Sequence, residues 1–233
     1  MKNGVGEKIL DAAMLVVMLA ALYLTFIWVP NEKTMGIIQR VFYFHVPAAW
    51  VSFLAFGFVF VASIMYLIKR DDKWDAMAVC SAEIGLLFCT IVLVTGPIWA
   101  KPVWGIWWTW DARLTLTLVL WLIYLAYTML RAYIDDPLKR GRLSAVVGIV
   151  GFVDVPLVYF SIRWWRTIHP VVIGGENAAA QGGFAMGPSI RLVMMLGMAV
   201  YTLLFITLMI HRVRLEQMRD RVAALREQQS VQA

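Results

Sequence analysis

The chain has 233 residues, of which 61% are hydrophobic and 15% charged, and its mean hydropathy is +0.74. Soluble domains contain about 45–50% apolar residues, so this composition excludes a soluble globular protein and indicates an integral membrane protein. The net charge of +6 does not indicate nucleic-acid binding, because no soluble domain remains that would carry a basic surface.

Six apolar stretches are long enough to cross a hydrocarbon core about 30 Å thick. The first follows a short basic stretch, but it has no small-residue cleavage site after it, so we interpret it as an uncleaved span. Glu83 lies in the third, and Asp154 and Pro156 interrupt the fifth. The predicted fold class is therefore an all-α membrane protein with six transmembrane helices, at residues 9–29, 47–68, 78–98, 114–130, 143–161 and 191–210.

Basic residues are distributed unequally between alternate connections. The N-terminus, the second and fourth loops and the tail hold fourteen of the 21 Lys and Arg residues, and the other three loops hold seven. By the positive-inside rule, both termini are predicted to be cytoplasmic. We divide the chain into a six-span membrane domain, residues 1–211, and a cytoplasmic tail, residues 212–233. The tail carries the narrow apolar seam of an amphipathic helix that contacts the membrane surface or a partner, formed by Leu215, Met218, Val222 and Leu225.

Tryptophan is concentrated on the side predicted to be outer. Nine of the eleven tryptophans lie at or beyond the outer ends of the spans, and five fall between Trp99 and Trp110. An ordinary aromatic belt occupies both membrane interfaces, so anchoring alone does not explain this distribution. The densest segment, residues 99–115, contains the string WGIWWTWDARLT (Trp104–Thr115) and is typical of a platform for a flat, apolar and partly polar ligand.

A helical wheel divides the residues of this string into two sets. If the segment forms a short interfacial helix, its main stripe presents three indoles and one carboxylate. The alternative is an interfacial anchor helix followed by an N-capped entry into the next span. The main stripe holds Trp104, Trp107, Trp108 and Asp111, whereas Trp110 and Arg113 point the other way.

Two of the three histidines are predicted to lie in outer loops, on the tryptophan side. His45 precedes the second span and His169 follows the fifth. Imidazole is a frequent ligand of iron and zinc, and two histidines on opposite sides of a flat pocket can coordinate haem iron. Either histidine alone is more typical of a hydrogen-bonded structural residue. Zinc is disfavoured because its sites need three or four protein ligands, and the outer loops contain no cysteine.

Haem also requires cations for its two propionates. Arg113 lies inside the tryptophan string, and other arginines lie in or beside the outer loops. Each of them has an alternative partner in a lipid phosphate or a loop carboxylate. The candidate cations are Arg40, Arg113, Arg163 and Arg166.

The string WGIWWTWDARLT resembles the tryptophan-rich WWD signature of haem-handling proteins in cytochrome c biogenesis. Together with FYFHVPAAW around His45, WWRTIH around His169 and the six spans, it makes nearly the whole chain similar to the haem exporter protein C (CcmC) family. The resemblance implies that the two histidines are axial ligands of haem iron. It also implies haem contacts by the signature residues Trp104, Trp107, Trp108, Trp110 and Asp111.

The same resemblance implies a function and a set of partners. Haem b, as transient cargo, is presented at the periplasmic face of the bacterial inner membrane and delivered to the haem chaperone CcmE. The small membrane protein CcmD and the ABC transporter subunits CcmA and CcmB are the associated partners. The chain has no ATP-binding P-loop, so we expect a haem-transfer protein rather than an enzyme.

Three other functions remain open from the residues alone. A permease for a small hydrophobic solute would have broken helices around a midplane cavity, and only the Asp154–Pro156 region offers such a feature. An electron carrier of the cytochrome b type would have its histidines inside facing spans. An assembly subunit would use its tryptophans only to bind another protein.

Overall fold

The computed structural model describes residues 4–33, 35–165, 167, 169–170 and 186–232. A π-helical turn at Leu24–Trp28 extends the first helix, and a 3₁₀ turn at Ile37–Val41 precedes the second. Within the described residues the α-helices are α1 (Val5–Tyr23), α2 (Phe42–Lys69), α3 (Asp72–Trp104), α4 (Ala112–Tyr133), α5 (Pro137–Phe152), α6 (Asp154–Trp164) and α7 (Pro188–Gln232).

Six helical stretches in the described part of the chain are long and apolar enough to cross a membrane. This finding confirms the six predicted spans and the all-α fold class. Each stretch is longer than the apolar run that predicted it, because the helices continue into the polar residues at their ends. The stretches are Val5–Trp28, Ile37–Lys69, Asp72–Trp104, Ala112–Tyr133, Pro137–Trp164 and Pro188–Arg219.

The fifth span consists of two helices, α5 and α6, which meet at Val153. Pro156 has no backbone N–H and therefore cannot donate to the carbonyl of Phe152, so the helical hydrogen-bond pattern is interrupted where the sequence predicted an interruption. Asp154 lies at this junction. Its side chain is buried, and its Oδ2 atom has no hydrogen-bond partner among the described residues.

Helix α2 lies at the centre of the bundle and packs against α3, α5 and α7. Its residues Ala48, Val51 and Ala55 are fully buried, and the ring of Phe56 stacks on Tyr124 of α4 with 3.7 Å between the ring centroids. Helices in lipid associate through close packing and interhelical hydrogen bonds rather than through the hydrophobic effect. The small residues of α2 are therefore what allow its neighbours to approach.

The C-terminal ends of the first, third and fifth spans and the N-terminal ends of α2, α4 and α7 lie at one end of the bundle. We call it the tryptophan end, because Trp28, Trp104 and Trp164 are the last helical residues of those three spans. The charge distribution predicts that this end is the outer one. The first turn of α2 also lies here, so His45 is a helical residue. The expectation that His45 lies in a loop before the second span was wrong, because α2 begins five residues before the predicted limit at 47.

Ion pairs hold the helices together at the opposite end. Arg212 of α7 donates to Glu83 of α3 at 2.6 Å, so this carboxylate serves a helix contact. His211 of α7 lies 2.7 Å from a carboxylate oxygen of Asp11 in α1. A further bidentate pair, at 2.6 and 2.7 Å, joins Arg131 of α4 to Asp75 of α3.

Helix α7 continues without interruption from the last span into the tail. The division between residues 1–211 and 212–233 therefore falls inside one helix, and the amphipathic helix predicted for the tail is the end of α7. The side chains of its apolar seam are exposed, with relative exposures of 48%, 37%, 48% and 59% for Leu215, Met218, Val222 and Leu225.

Candidate functional site

A cavity opens at the tryptophan end between α2, α3, α4 and the connection from α3 to α4. It contains about 850 Å³ of empty space, part of which is open to the surroundings. Pockets for small organic ligands and cofactors in proteins measure about 300–1,000 Å³. Its lining includes the basic side chains His45, His169 and Arg113, the thiol Cys89, and the aromatic residues Phe53, Trp99, Trp104, Trp107 and Trp108.

The connection between α3 and α4 is irregular, not helical. Helix α3 ends at Gly105, whose φ of 76° places it in the left-handed region that glycine adopts readily. Asp111 then caps α4, and its carboxylate accepts a hydrogen bond from the backbone N–H of Leu114 at 3.0 Å. The prediction of a short interfacial helix here was therefore wrong: α3 continues to Trp104, and residues 105–111 are not helical. The predicted N-capped entry into the next span is confirmed.

The tryptophans separate as the wheel suggested, but the wheel was wrong for the two charged residues, because Arg113 lines the cavity and Asp111 does not. Trp104, Trp107 and Trp108 line the cavity, and Trp110 does not. Trp110 is 75% exposed and packs its ring edge-on against Trp108, with 5.7 Å between the ring centroids. Trp99, which the sequence placed in the cluster but not in the site, is almost fully buried and forms part of the cavity wall.

His45 is buried in the first turn of α2. Its Nδ1 atom lies 2.9 Å from the hydroxyl oxygen of Thr95 on α3. Within the described residues its Nε2 atom makes no hydrogen bond, and the side chain forms part of the cavity wall. This ring therefore has one nitrogen held by the protein and one free for a ligand.

His169 stands on the connection after α6 and faces the same cavity. Its Nδ1 atom lies 3.1 Å from the backbone carbonyl oxygen of Pro170, so Nδ1–H donates and Nε2 carries the lone pair of the neutral ring. The ring centroids of His45 and His169 are 6.3 Å apart, and the ring planes differ by 35°. Metal–imidazole bonds are about 2.0 Å long, so two imidazoles on opposite sides of one metal atom have centroids roughly 6 Å apart.

Burial holds the pKa of His169 well below its ordinary value, and the positive charge of Arg113 and the nearby His45 lower it further. A lowered pKa keeps the imidazole neutral at physiological pH, because the charged form is the one that loses solvation. A neutral ring is the form that can bind a metal.

Asp111 links the tryptophan connection to the segment that carries His169. Its Oδ2 atom accepts hydrogen bonds from the hydroxyl of Thr109 at 3.1 Å and from that of Thr167 at 2.8 Å. The oxygen of Thr167 accepts in turn from the backbone N–H of His169 at 3.0 Å. Asp111 is not part of the cavity wall. It lies beside the site and holds together the two segments that contribute residues to it.

The candidate cations have different positions. Arg113 is the cation in the described wall of the cavity, and its Nη1 atom is buried without a hydrogen-bond partner there. Arg40 is not brought to the cavity: its Nη1 donates to the carbonyl of Phe26 at 2.6 Å and its Nη2 to Asn31 at 3.3 Å. Arg163 is also outside the wall, with its guanidinium 4.8 Å from the ring centroid of Tyr159. Arg166 lies outside the described residues.

Like the Nη1 atom of Arg113, two indole N–H groups in the cavity wall are buried without a hydrogen-bond partner in the described part of the chain. The Nε1 atoms of Trp99 and Trp108 are buried and have no hydrogen-bond partner among the described residues. Buried donors without partners are costly and are normally satisfied by protein, water or ligand. The wall thus combines apolar rings with several unpaired donors, which is a suitable environment for a flat ligand that carries acidic groups.

Comparison with known proteins decides the family. The profile of the family "Heme exporter protein C" (CcmC) matches residues 4–228. The chain belongs to the CcmC family. A heme exporter protein C from Bradyrhizobium diazoefficiens is 34% identical over 221 residues, which cover 95% of this chain and 82% of that protein. Heme exporter protein C from Paracoccus denitrificans is 34% identical over 84% of this chain and 80% of its own length.

A third CcmC relative, heme exporter protein C from Escherichia coli, is 37% identical over 140 residues, 60% of this chain and 57% of that protein. Membership in the CcmC family gives the protein a role in haem handling for cytochrome c maturation, as a multi-pass membrane component of the Ccm haem export system. CcmC is a transport and handling component, not a known enzyme.

Proposed function

We propose that this protein binds haem b between His45 and His169 at the periplasmic face of the bacterial inner membrane and delivers it to the haem chaperone CcmE. The observation that carries the proposal is the pair of neighbouring imidazoles in one cavity wall, with ring centroids 6.3 Å apart. Both rings have Nδ1 at a hydrogen-bonding partner, and within the described residues Nε2 makes no hydrogen bond, which is how ligating histidines in proteins are usually held.

The wall of the cavity fits the remaining parts of haem. Trp104, Trp107 and Trp108 offer apolar faces to the ring. The unpaired guanidinium nitrogen of Arg113 offers a charge-assisted hydrogen bond to a propionate. Haem bound here would supply iron with two open axial positions for the imidazoles, and the protein supplies the slot, the ligands and the counter-charge.

Delivery to CcmE requires a site from which the cargo can leave. Trp107, which lines the cavity, is 57% exposed, so one side of the site is accessible from outside the bundle. Aromatic contacts contribute about 1 kcal/mol each beyond simple burial, which suits transient binding. Because the chain has no P-loop, energy for the cycle comes from CcmA and CcmB, with CcmD as a further partner.

The experiment is an absorption spectrum of the detergent-purified protein, co-expressed with CcmE, for the parent and the His45→Ala/His169→Ala double variant. We expect a Soret band in the parent, its loss in the double variant, and a parallel loss of haem on CcmE. His211→Ala is the matched control, since His211 pairs with Asp11 at the opposite end, and should retain the band. A folded parent without haem would contradict the proposal and favour an assembly subunit.

A further inference from the structure

We infer that Thr95 is a positioning residue that holds His45 in the one tautomer that can bind haem iron. Thr95 lies on α3, fifty residues from His45 in the sequence, and it is not part of the cavity wall. It therefore acts on the cargo only through the imidazole. This inference rests on the proposed haem site.

The hydrogen bonds of Thr95 determine the direction of its contact with His45. Its hydroxyl has one hydrogen, and the carbonyl oxygen of Ile91 lies 2.7 Å from the hydroxyl oxygen, as is common for threonine inside a helix. With that hydrogen donated to Ile91, the oxygen can only accept at Nδ1 of His45, 2.9 Å away. Nδ1 then carries the proton, and Nε2 has a free lone pair.

The other arrangement is less favourable. If the Thr95 hydroxyl donated to Nδ1 of His45, the proton would sit on Nε2 and this nitrogen could not bind a metal. That arrangement also forms one hydrogen bond where the first forms two, since the hydroxyl no longer donates to Ile91. In a buried, low-dielectric position each hydrogen bond is stronger than in water. The arrangement with two hydrogen bonds is therefore favoured, and it selects the tautomer that can bind iron before haem arrives.

The neighbouring residue on α3 keeps the ring at this distance. A Cβ atom at Gly96 would lie 3.3 Å from Cε1 of His45, closer than most such contacts. The absence of a side chain at Gly96 therefore lets the ring rest against the α3 backbone within reach of the Thr95 hydroxyl. Thr95 and Gly96 together define the position and the protonation of the ring.

The contact has an electronic consequence besides the geometric one. A hydrogen bond accepted from Nδ1–H raises the basicity of the other nitrogen, and loss of such an outer partner typically weakens metal binding about 10- to 100-fold. A more basic imidazole favours ferric over ferrous iron. Removal of the hydroxyl should therefore weaken haem binding and raise the reduction potential of the haem that remains.

The test compares Thr95→Val, which keeps the branched shape without the hydroxyl, with Thr95→Ser, which keeps the hydroxyl. Haem affinity and haem reduction potential are measured on the detergent-purified proteins. We expect Thr95→Val to bind haem at least tenfold more weakly with a higher potential, and Thr95→Ser to resemble the parent. The reduction potential is measured on the haem-loaded fraction, so it can be compared even when a variant folds in lower yield.

The matched control is Thr90→Val on the same helix. Thr90 likewise donates to a backbone carbonyl and accepts from an indole, that of Trp121 at 2.8 Å, but it does not contact a histidine. We expect the reduction potential of this variant to be unchanged. A Thr95→Val potential and affinity equal to those of the parent would overturn the inference, as would equal effects of Thr95→Val and Thr95→Ser. A parent that binds no haem at all would instead remove the proposed function.

Discussion

At the scale of single residues, the carboxylate of Asp111 joins parts of the chain that are far apart in sequence. One oxygen caps α4 and the other holds the hydroxyls of Thr109 and Thr167. Thr167 then fixes the backbone N–H of His169. The aspartate of the WWD signature thus positions the tryptophan connection and the second histidine relative to each other.

Asp111→Asn separates these two roles. Asparagine caps helices about as well as aspartate, but its amide nitrogen cannot accept the hydroxyl hydrogen of Thr167. We expect nearly unchanged thermal stability and roughly tenfold weaker haem binding, measured by haem titration of the purified apo-protein. Thr167→Val should show the same loss and Thr167→Ser should not. Asp136→Asn, at the N-cap of α5 on the opposite end, is the control, and an equal loss in that variant would contradict this role.

Arg113 illustrates a conflict between stability and binding. Its Nη1 atom is buried with no partner in the described chain, and an unsatisfied buried donor costs about 1–3 kcal/mol, more if charged. We expect Arg113→Met to raise the free energy of unfolding of the apo-protein by about 1 kcal/mol or more.

The same Arg113→Met substitution should weaken haem binding about 10- to 100-fold, because hydrogen bonds to charged groups contribute about 1.5–3 kcal/mol. Thermal unfolding without haem and haem titration measure the two effects. Arg163→Met, outside the cavity wall, serves as the comparison. A variant that is less stable and binds haem normally would refute the assignment of Arg113 to the cargo.

At the scale of elements, the sequence predicted the spans well and their ends poorly. Apolar runs mark the part of a helix inside lipid, but a helix ends where its backbone is capped. This difference brings His45 into α2 and joins the tail to α7. It also explains the connection between α3 and α4, where Gly105 and Asp111 leave no room for a helix.

The site shows the same division between local and distant information. Both histidines, Arg113 and three tryptophans stand in recognisable strings, and the structure brings them to the cavity; the tryptophans are Trp104, Trp107 and Trp108. The contact of Thr95 with His45 and that of Asp111 with Thr167 join residues 50 and 56 positions apart. Contacts between residues so far apart cannot be predicted from hydrophobic periodicity or from a local motif. Trp99 could have been predicted as a site residue from the sequence, since it belongs to the same tryptophan cluster.

Helix α1 depends on α7 for its place in the bundle. Met14 is the residue of α1 that is buried, and ion pairs with α7 hold its N-terminal half, namely Asp11 with His211 and Glu7 with Arg214. The second pair is only partly exposed, with 19% and 28% of the side chains accessible.

We expect Arg214→Ala to lower the free energy of unfolding by about 1 kcal/mol and to leave haem binding unchanged, since this contact lies at the opposite end from the cavity. Tryptophan fluorescence during thermal unfolding in detergent measures the stability. Arg219→Ala, whose side chain is 68% exposed, should have almost no effect. If Arg214→Ala abolished haem binding while its stability stayed normal, the separation between the two ends would be wrong.

At the scale of the whole molecule, the six spans form a scaffold whose two ends have different chemistry. The opposite end is rich in Lys and Arg, and ion pairs there join neighbouring helices. The tryptophan end holds an aromatic cavity lined by two histidines on separate elements, one in a helix and one on a connection. This arrangement suits a protein that holds a flat cargo at one end of its helical bundle, while ion pairs join the helices at the other end.

The central claim is that two histidines ligate one haem iron, and the most direct measurement is a low-temperature electron paramagnetic resonance spectrum of the oxidised, haem-loaded protein. We expect a low-spin ferric signal typical of two imidazole ligands. Single His45→Ala and His169→Ala variants should each convert it to a high-spin signal or lose the haem. A low-spin signal that survives either substitution unchanged would contradict the assignment of that histidine to the iron.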